Sequence, residues 1–272
     1  MNNDSPQKAL LVVFLVALLC SVLVSLAAIT LKPQQLRNQL VERSRNIITL
    51  TGLLPGDTQL SDEQILAALE QLDIRVVNID SGEFNTTIDP VGFDERAAVG
   101  DPDLGVVIPP DADAARLGRR TGFAVVYLVW DGDVLSRVIL PIHGQGMWSM
   151  LYGYLALEVD LNTIAAVSFY EQTETAGLGD QIQRPDWQAQ WAGRQLFDNR
   201  GNLRFRVASG VVEAGAPGAR YEVDGLTGAS VTADAVTRLI SYWFGSHGYA
   251  NLLARLRDNP PERKMMDGDT SR

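Results

Sequence analysis

Hydroxyl-bearing and small residues are concentrated in one short stretch, DGLTGASVT at 224–232, at the start of a predicted long helix. Its glycines let the backbone approach a ligand closely. The hydroxyls of Thr227, Ser230 and Thr232 gather where the helix is predicted to begin, and free N–H groups and the helix dipole favour an anion there. A phosphate group is the anion most expected at such a site. The alternative from physics alone is an ordinary Ser or Thr cap after a glycine turn.

The elements that must position this hydroxyl stretch (224–232) are mainly strands and one helix. Two β-hairpins are predicted, one around Asp131-Gly132-Asp133 and one around Leu161-Asn162-Thr163. Their strands and two later ones are predicted at 122–130, 134–142, 154–160, 164–171, 203–209 and 220–225. The long helix is predicted over 232–244 because one of its faces is apolar throughout. That face consists of Ala235, Val236, Leu239, Ile240, Trp243 and Phe244.

The residues before the hairpins are predicted to be helical first and irregular later. Ser61 and Gln64 form a capping box at the start of a helix over 62–72, and a strand is predicted at 74–79. The following segment, 80–120, is rich in Asp, Gly and Pro. We therefore expect loops with little regular structure in it.

The most apolar segment runs from residue 9 to residue 31 without a charged side chain, and Lys8 and Lys32 flank it. About 20 helical residues cross the hydrocarbon core of a bilayer, so this segment predicts one membrane-spanning helix. A cleaved signal peptide is the alternative, because Ser25-Leu26-Ala27 resembles a small-x-small cleavage site. The apolar core would then be longer than is usual for a signal peptide.

A further helical segment, 34–50, follows Pro33, which can break or kink the helix that leaves the bilayer. The cations on this side of the span are Lys32, Arg37, Arg43 and Arg45. They make the C-terminal flank more basic than the N-terminal one, which would keep the large domain in the cytoplasm. Long domains can translocate regardless of charge, so the charge pattern leaves the orientation open.

The composition narrows the classes of function. The chain has 33 acidic and 23 basic side chains and a formal charge of −10, which argues against a nucleic-acid partner. Its single cysteine, Cys20, excludes an internal disulfide and a Cys-based metal centre. The two histidines, His143 and His247, leave little for a His-rich site, and neither is proposed as catalytic. No metal site is predicted.

These patterns predict an α+β fold: a single N-terminal transmembrane helix followed by a mixed α/β domain. No internal repeat is evident. The predicted boundaries are an N-terminal flank at 1–8, the transmembrane helix at 9–31, a helical neck with loops at 32–100, the main domain at 101–257 and a flexible tail at 258–272. Periodicity alone goes no further than this.

The hydroxyl stretch resembles the flavinylation motif Asp-x-x-Ser/Thr-Gly-Ala-Ser/Thr-x-Thr. In proteins with that motif the last threonine carries FMN through a phosphoester. The resemblance therefore implies that Thr232 is the attachment point. The other motif positions are occupied by Asp224, Thr227, Gly228, Ala229 and Ser230, and these are the candidate cofactor-binding residues of this segment.

Two further segments resemble flavinylated electron-transfer subunits. Residues 171–180, EQTETAGLGD, resemble the Glu-Thr-Pro-Gly-Leu-Gly loop, with Ala176 where proline is common. Residues 144–153, GQGMWSMLYG, resemble the Gly-x-Gly-Leu-Trp-Ser-x-Met-Tyr-Gly segment. With the order of the segments, this identifies a member of the C-subunit family of Na+-translocating NADH:quinone reductases. The additional candidate flavin-binding residues are Trp148, Glu174, Thr175, Gly177, Leu178 and Gly179.

The resemblance implies the function of an electron carrier. The main domain would be an FMN-binding domain that relays electrons within a complex that oxidises NADH, reduces ubiquinone and exports Na+. The chain would have no catalytic residue for turnover. It lacks a Gly-x-Gly-x-x-Gly fingerprint after a strand, so no NADH site is expected on it. Its one span carries no charge, so it would not conduct Na+ alone.

The resemblance also implies partners and a location. The chain would assemble with the other membrane and redox subunits of its complex in the lipid bilayer of the bacterial inner membrane. A separate flavin transferase, which uses FAD and needs Mg2+, would modify Thr232 once. That enzyme acts outside the cytoplasm, which favours a periplasmic domain.

Two alternatives remain at the level of sequence. One is the flavin subunit of an Rnf-type complex, in which ferredoxin replaces quinone in the overall reaction. The other belongs to a different class, a membrane-anchored scaffold or binding domain without a cofactor.

Overall fold

The computed structural model describes residues 6–53 and 60–264, and its contacts divide the chain into two units, 1–45 and 46–272. In chain order the helices are α1 Pro6–Thr51, α2 Asp62–Glu70, α3 Glu95–Ala98, α4 Pro185–Ala189, α5 Ser230–Trp243 and α6 Ala250–Asp258. The strands are β1 Asp73–Asn78, β2 Phe84–Asn85, β3 Gly105–Val107, β4 Arg119–Thr121, β5 Phe123–Asp131, β6 Val134–Gln145, β7 Met150–Glu158, β8 Ile164–Glu171, β9 Arg206–Val207 and β10 Glu222–Val223.

The first unit is helical wherever it is described. Within α1, residues Lys8–Lys32 form one helix that is long and apolar enough to cross a membrane, and its side chains are exposed. This confirms the predicted apolar helix. The helical backbone continues through Pro33, so the break that the sequence suggested there does not occur. A proline removes one backbone hydrogen bond from the helix. The helical residues before and after Pro33 keep their own hydrogen bonds, so the helix continues.

A six-stranded antiparallel sheet in the order β2-β1-β5-β6-β7-β8 dominates the second unit. The hairpin between β5 and β6 turns at Gly132, whose φ of 60° lies in the left-handed region that glycine adopts without strain. Both predicted hairpins are confirmed. Strand β7 begins at Met150 rather than at Tyr154 as predicted, so the segment 144–153 that resembles the Gly/Trp motif consists of the end of β6, a turn at 146–149 and the start of β7.

Apolar side chains cover both faces of the sheet, as alternation along β6 illustrates. Val138 and Leu140 face the core that includes α5, and Ile139 faces the opposite core. The last turns of α1, with Ile47 and Leu50, contribute to that second core. A sheet with both faces covered gives strands that are hydrophobic at nearly every position, which β5 shows.

Helix α5 packs on β6 and carries the predicted apolar stripe. Val236, Leu239 and Ile240 are fully buried. The helix begins at Ser230, two residues before the predicted start. The short helix α6 was not predicted, because its apolar face is short and consists of three buried leucines, Leu252, Leu253 and Leu256.

The remaining predicted elements are partly confirmed. The capping box of α2 is present, with Ser61 N–H donating to Gln64 Oε1 at 2.9 Å and Gln64 N–H donating to Ser61 Oγ at 3.3 Å. Segment 80–120 contains only short elements, as expected. The strands predicted at 203–209 and 220–225 shorten to the two-residue parallel pair of β9 and β10.

Residues after α6 contact the sheet before the described part of the chain ends. Glu262 C=O accepts a hydrogen bond from Arg75 Nη2 at 2.5 Å, and Arg263 Nη1 donates to Gly132 C=O at 3.2 Å. Residues 259–264 thus follow the surface of the sheet. The rest of the predicted flexible tail, 265–272, lies outside the described residues, and the predicted domain boundaries stay predictions.

A buried ion pair at the start of β1 gives a first test of the fold. Asp73 is 4 % exposed and accepts hydrogen bonds from Arg75 Nε at 2.9 Å and from Trp130 Nε1 at 3.1 Å. Asp73→Asn removes the charge that balances the Arg75 guanidinium. We expect the free energy of unfolding to fall by about 3 kcal/mol, because an unbalanced buried charge is costly. Urea unfolding followed by tryptophan fluorescence measures this.

The exposed pair Glu83 and Arg255, 2.9 Å apart, is the control for that measurement. Both side chains are about half exposed. Glu83→Gln should change the free energy of unfolding by less than about 1 kcal/mol. Equal effects of the two substitutions would contradict the assignment of a stabilising role to Asp73.

Candidate functional site

The hydroxyl stretch forms the entry to α5, and its hydroxyls do not cap the helix. The N-cap residue is Ala229, and among the described residues no side chain caps the first turn. Ser230 and Thr232 are the first and third helical residues. The N–H groups of a first helical turn have no acceptor inside the helix. The interpretation as an ordinary Ser or Thr cap is therefore wrong. The main-chain N–H groups of the first turn are left available to an acceptor such as an anion.

The turn before α5 depends on Gly228. Its φ of 75° is in the left-handed region, and a Cβ on it would lie 2.9 Å from Leu178 Cδ2. Glycine thus serves both the backbone conformation and the close approach of a neighbouring loop. That neighbour is the Glu174 loop, residues 173–179.

Thr232 is buried and hydrogen-bonded to the Glu174 loop. Its side chain is 2 % exposed, and Thr232 Oγ1 donates to Glu174 Oε2 at 2.6 Å. Glu174 is likewise only 8 % exposed. A hydroxyl and a carboxylate at this separation form a short, charge-assisted hydrogen bond.

Among the described residues, four further donors surround the Glu174 carboxylate, all of them from the Trp148 turn, residues 146–149. Glu174 Oε2 accepts from Met147 N–H at 3.2 Å. Glu174 Oε1 accepts from Trp148 N–H at 2.9 Å and from Ser149 N–H at 3.2 Å, with Ser149 Oγ at 3.4 Å. Glu174 is thus a hub that joins three segments distant in sequence, a role that the sequence did not suggest.

The Glu174 carboxyl is ionised at neutral pH. Burial alone would raise its pKa, but the hydrogen bonds from the Thr232 hydroxyl and from the amides of the Trp148 turn outweigh that effect. The pKa therefore lies below its usual range. The site presents a buried negative charge directly beside the threonine hydroxyl.

The Trp148 turn is tight and is held from both sides. Gly146 N–H donates to Ser149 C=O at 2.8 Å, which closes the turn, and Ser149 Oγ accepts from Thr173 N–H at 2.8 Å. A Cβ on Gly146 would come within 2.7 Å of Glu174 Oε1. A side chain at residue 146 would thus push the carboxylate away from its donors.

The Glu174 loop closes as a turn although Ala176 replaces the usual proline. Leu178 N–H donates to Thr175 C=O at 3.1 Å, and Gly177 has a φ of 75°. Gly179 lies directly against the threonine, because a Cβ on it would be 2.7 Å from Thr232 Oγ1. A short 3-10 helix follows at Gly179–Gln183.

Gln181 joins the two glycine-containing loops, and no sequence pattern indicated this role. Its Nε2 lies 2.7 Å from Leu178 C=O, 3.3 Å from Gly177 C=O and 3.2 Å from Thr227 C=O. One amide thereby fixes the Glu174 loop to the hydroxyl stretch. It lies outside the segments that the sequence resemblance highlighted.

Apolar side chains are exposed around the buried threonine. The exposed fractions are 66 % for Trp148, 49 % for Met147, 46 % for Val231 and 40 % for Leu178. Each of these residues belongs to, or adjoins, a segment that contacts Thr232 or Glu174. Exposed apolar groups in one region mark a surface that a ligand or partner covers.

Asp224 has a different position from the other predicted site residues. Its carboxylate accepts from Val212 N–H at 2.7 Å, and its C=O accepts from Trp187 Nε1 at 2.8 Å. Asp224 thus orders the loop that precedes the hydroxyl stretch. The side chains of Thr227 and Ser230 are exposed beside the start of α5.

His143 is a half-buried residue near the end of β6. Its ring stacks on Tyr152 with 5.6 Å between centroids and lies 4.8 Å from the Trp243 ring. Burial, and secondarily the charge of Arg96, lowers the pKa of His143 to about 4. The ring is therefore neutral at physiological pH.

Comparisons with known proteins show the family to which the chain belongs. The FMN-binding domain family matches residues 146–245, a range that includes the Trp148 turn, the Glu174 loop and the hydroxyl stretch. Among solved structures, Shewanella oneidensis NqrC superimposes with a TM-score of 0.72 at 32 % identity, covering 82 % of this chain and 98 % of that one.

Curated relatives match over nearly the whole length. The C subunit of the Na(+)-translocating NADH-quinone reductase of Pseudomonas aeruginosa is 39 % identical over 94 % of this chain and 98 % of its own length. The protein of the same name from Yersinia pestis is 38 % identical over 94 % of this chain and 95 % of its own. The chain therefore belongs to the NqrC family, the C subunits of Na(+)-translocating NADH-quinone reductases.

Proposed function

We propose that this chain carries electrons through an FMN esterified to Thr232, as the flavin subunit of a Na+-translocating NADH:ubiquinone reductase. The observation that carries the proposal is the Thr232 hydroxyl in the uncapped first turn of α5, enclosed by two glycine-containing loops. The FMN-binding domain family and the NqrC relatives support it. The same relatives favour the Na+-translocating complex over the Rnf-type alternative.

The residues around Thr232 suit a phosphoester and a flat aromatic ring. The phosphate would lie at the start of α5, where the exposed residues Ser230 and Val231 offer main-chain N–H groups to an anion. Trp148 and Leu178 offer apolar surface to the ring, and an indole can cover such a ring face. When bound, FMN supplies the ability to take up and release one or two electrons.

A covalent bond suits an open site of this kind. A helix N-terminus contributes about 1 kcal/mol to holding a phosphate, and up to about 2 kcal/mol when partly buried. Micromolar retention of a free ligand requires about 8 kcal/mol. A phosphoester on Thr232 removes dissociation, so that the ring can stay at the surface where electrons enter and leave.

The wider assignment concerns the complex rather than this chain alone. We infer that it assembles with other membrane and redox subunits in the bacterial inner membrane, and that NADH oxidation, ubiquinone reduction and Na+ export occur at the level of that complex. A flavin transferase that uses FAD and Mg2+ would modify Thr232 during maturation. Because that enzyme acts outside the cytoplasm, the second unit would be periplasmic, with Lys8–Lys32 in the bilayer.

Removal of the threonine hydroxyl tests the attachment. Thr232→Ala deletes the oxygen that would be esterified, so the full chain should reach the membrane and fold but carry no flavin. Flavin fluorescence in a gel after SDS denaturation measures covalent FMN, and mass spectrometry of the peptide that contains residue 232 locates it. Fluorescence that survives denaturation in this variant would refute attachment at Thr232.

Thr237 provides the matched control on the same helix. Its hydroxyl donates to Ala233 C=O at 3.2 Å and accepts from Val207 N–H at 3.0 Å, so it is structural rather than part of the site. Thr237→Ala should retain the covalent flavin. If the protein were a scaffold without a cofactor, the wild-type chain would also show no flavin fluorescence in the gel.

A single methyl group tests the close packing of the Glu174 loop on the threonine. Gly179→Ala places a Cβ 2.7 Å from Thr232 Oγ1, so the loop or the hydroxyl must move. We expect a loss of about 1–3 kcal/mol in the free energy of unfolding, which is typical of overpacking, together with less FMN incorporated. Thermal unfolding and in-gel fluorescence measure the two effects.

Gly210→Ala is the control for this substitution, because a Cβ on Gly210 meets nothing within 4 Å. It should leave both readouts close to those of the wild-type chain. Gly179→Ala with unchanged flavin content and unchanged stability would show that the loop does not pack on Thr232 as described.

A further inference from the structure

We propose that Glu174 is the base that takes the proton from Thr232 when the flavin is attached. This inference rests on the proposed function, since it assumes that Thr232 is the residue modified. It assigns a catalytic role to a carboxylate of the substrate chain itself. The transferase would then have to supply the activated phosphate but not the base.

The position of the proton carries the argument. Thr232 Oγ1 donates to Glu174 Oε2 at 2.6 Å, so the proton that must leave the nucleophile already points at a carboxylate oxygen. A threonine hydroxyl is a weak nucleophile, and an adjacent general base within hydrogen-bond reach activates it. Thr232 and Glu174 are both buried residues, 2 % and 8 % exposed, so their contact is largely shielded from bulk water.

The base is held in place by a third group, as in other activated nucleophiles. Glu174 Oε1 is fixed by the amides of Trp148 and Ser149 at 2.9 and 3.2 Å. With one oxygen fixed in this way, the other is directed at the threonine. The Trp148 turn therefore positions the base, and the base positions the hydroxyl.

The attachment step balances with FAD as the flavin donor. Thr232 Oγ1 forms a bond to the phosphorus on the FMN side of the pyrophosphate, and the bond from that phosphorus to the bridging oxygen breaks. AMP leaves with the electron pair, and the proton of Thr232 passes to Glu174 Oε2. Nothing is oxidised or reduced. Because Thr232 is only 2 % exposed and Gly179 lies against its hydroxyl, Leu178 and Gly179 must move aside to admit the donor while Glu174 keeps its hydrogen bond to Thr232.

The Glu174 carboxylate also keeps enough hydrogen-bond donors after Thr232 is modified. An esterified Thr232 has no hydrogen to donate, so Glu174 Oε2 loses that partner. The four donors from the Trp148 turn remain, one of them, Met147 N–H, on the same oxygen. The buried carboxylate is thus satisfied both before and after the modification.

The test compares initial rates of modification of the full chain in detergent with purified transferase, FAD and Mg2+. In-gel flavin fluorescence and the release of AMP are the readouts. At pH 7 we expect Glu174→Gln to be modified about 100-fold more slowly than the wild-type chain, the effect of losing a general base. Glu174→Asp keeps a carboxylate and should recover part of the rate.

The pH dependence separates a base from a merely structural group. In the Gln variant, hydroxide must remove the proton, so the modification rate of this variant should increase with hydroxide concentration. The ratio of the wild-type rate to the variant rate should therefore fall as the pH is raised from neutral into the alkaline range. Ionisation of groups in the transferase changes the modification rates of both chains by the same factor, so this effect cancels in the ratio of the two rates. A ratio that is the same at every pH, or a rate at neutral pH close to that of wild type, would overturn the role of Glu174.

Asp73→Asn is the matched control, because Asp73 is an equally buried carboxylate with hydrogen bonds of its own but none to Thr232. It should be modified at the wild-type rate despite its lower stability. If Glu174→Gln does not fold, a pH profile of Glu174→Asp that parallels the wild-type profile supports the proposal, and one that rises with pH overturns it. A wild-type chain that takes up no FMN at Thr232 would instead refute the proposed function.

Discussion

The site depends on one buried charge, the carboxylate of Glu174. A buried carboxylate is tolerated only when hydrogen bonds replace the water that it has lost. Those bonds come from residues 26 positions before it, in the Trp148 turn, and 58 positions after it, at Thr232. The cost of leaving the charge without partners therefore forces three remote segments together. The close contacts of Gly146 and Gly179 follow from this convergence, because no side chain fits between the segments.

The sheet delivers these segments to one place. Strands β6, β7 and β8 are neighbours, and Gln145 pairs with Met150 while Tyr152 pairs with Glu171. The Trp148 turn and the Glu174 loop therefore leave the same end of the sheet. Helix α5 reaches that end because it packs closely on β6, where Gly144 lets Leu239 approach: a Cβ on this glycine would be 3.1 Å from Leu239 Cβ.

Local and periodic features of the fold could be predicted from the sequence. The hairpin at Gly132, the capping box at Ser61 and the apolar stripe of α5 each depend on residues close together in the chain. The start of β7 and the length of the later strands depend on pairing with distant residues, which periodicity does not report. Helix α6 was not predicted for a similar reason: its three leucines are buried by contacts with the core, which is formed by residues distant in sequence.

The same distinction holds within the site. The resemblance grouped Thr232, Glu174 and Gly179 as candidates, and the structure brings them into contact. It did not indicate that Asp224 would bind Val212 N–H, or that Gln181 would join the two loops, because both contacts are made to main-chain atoms. Main-chain donors and acceptors are the same at every residue. A sequence therefore gives little information about which of them a side chain will find.

The distribution of donors explains why a flavin here would need a covalent bond. The buried polar groups of the site, the Glu174 carboxylate and the Thr232 hydroxyl, bond to each other and to the Trp148 turn, so neither is free to hydrogen-bond a ligand that is held without a covalent bond. What remains is the first turn of α5 and an exposed apolar surface that includes Trp148 and Leu178. Such a surface leaves one face of a ring open to an electron partner but holds it weakly. The proposed ester separates the two demands, since the bond to Thr232 provides retention and the open surface provides access.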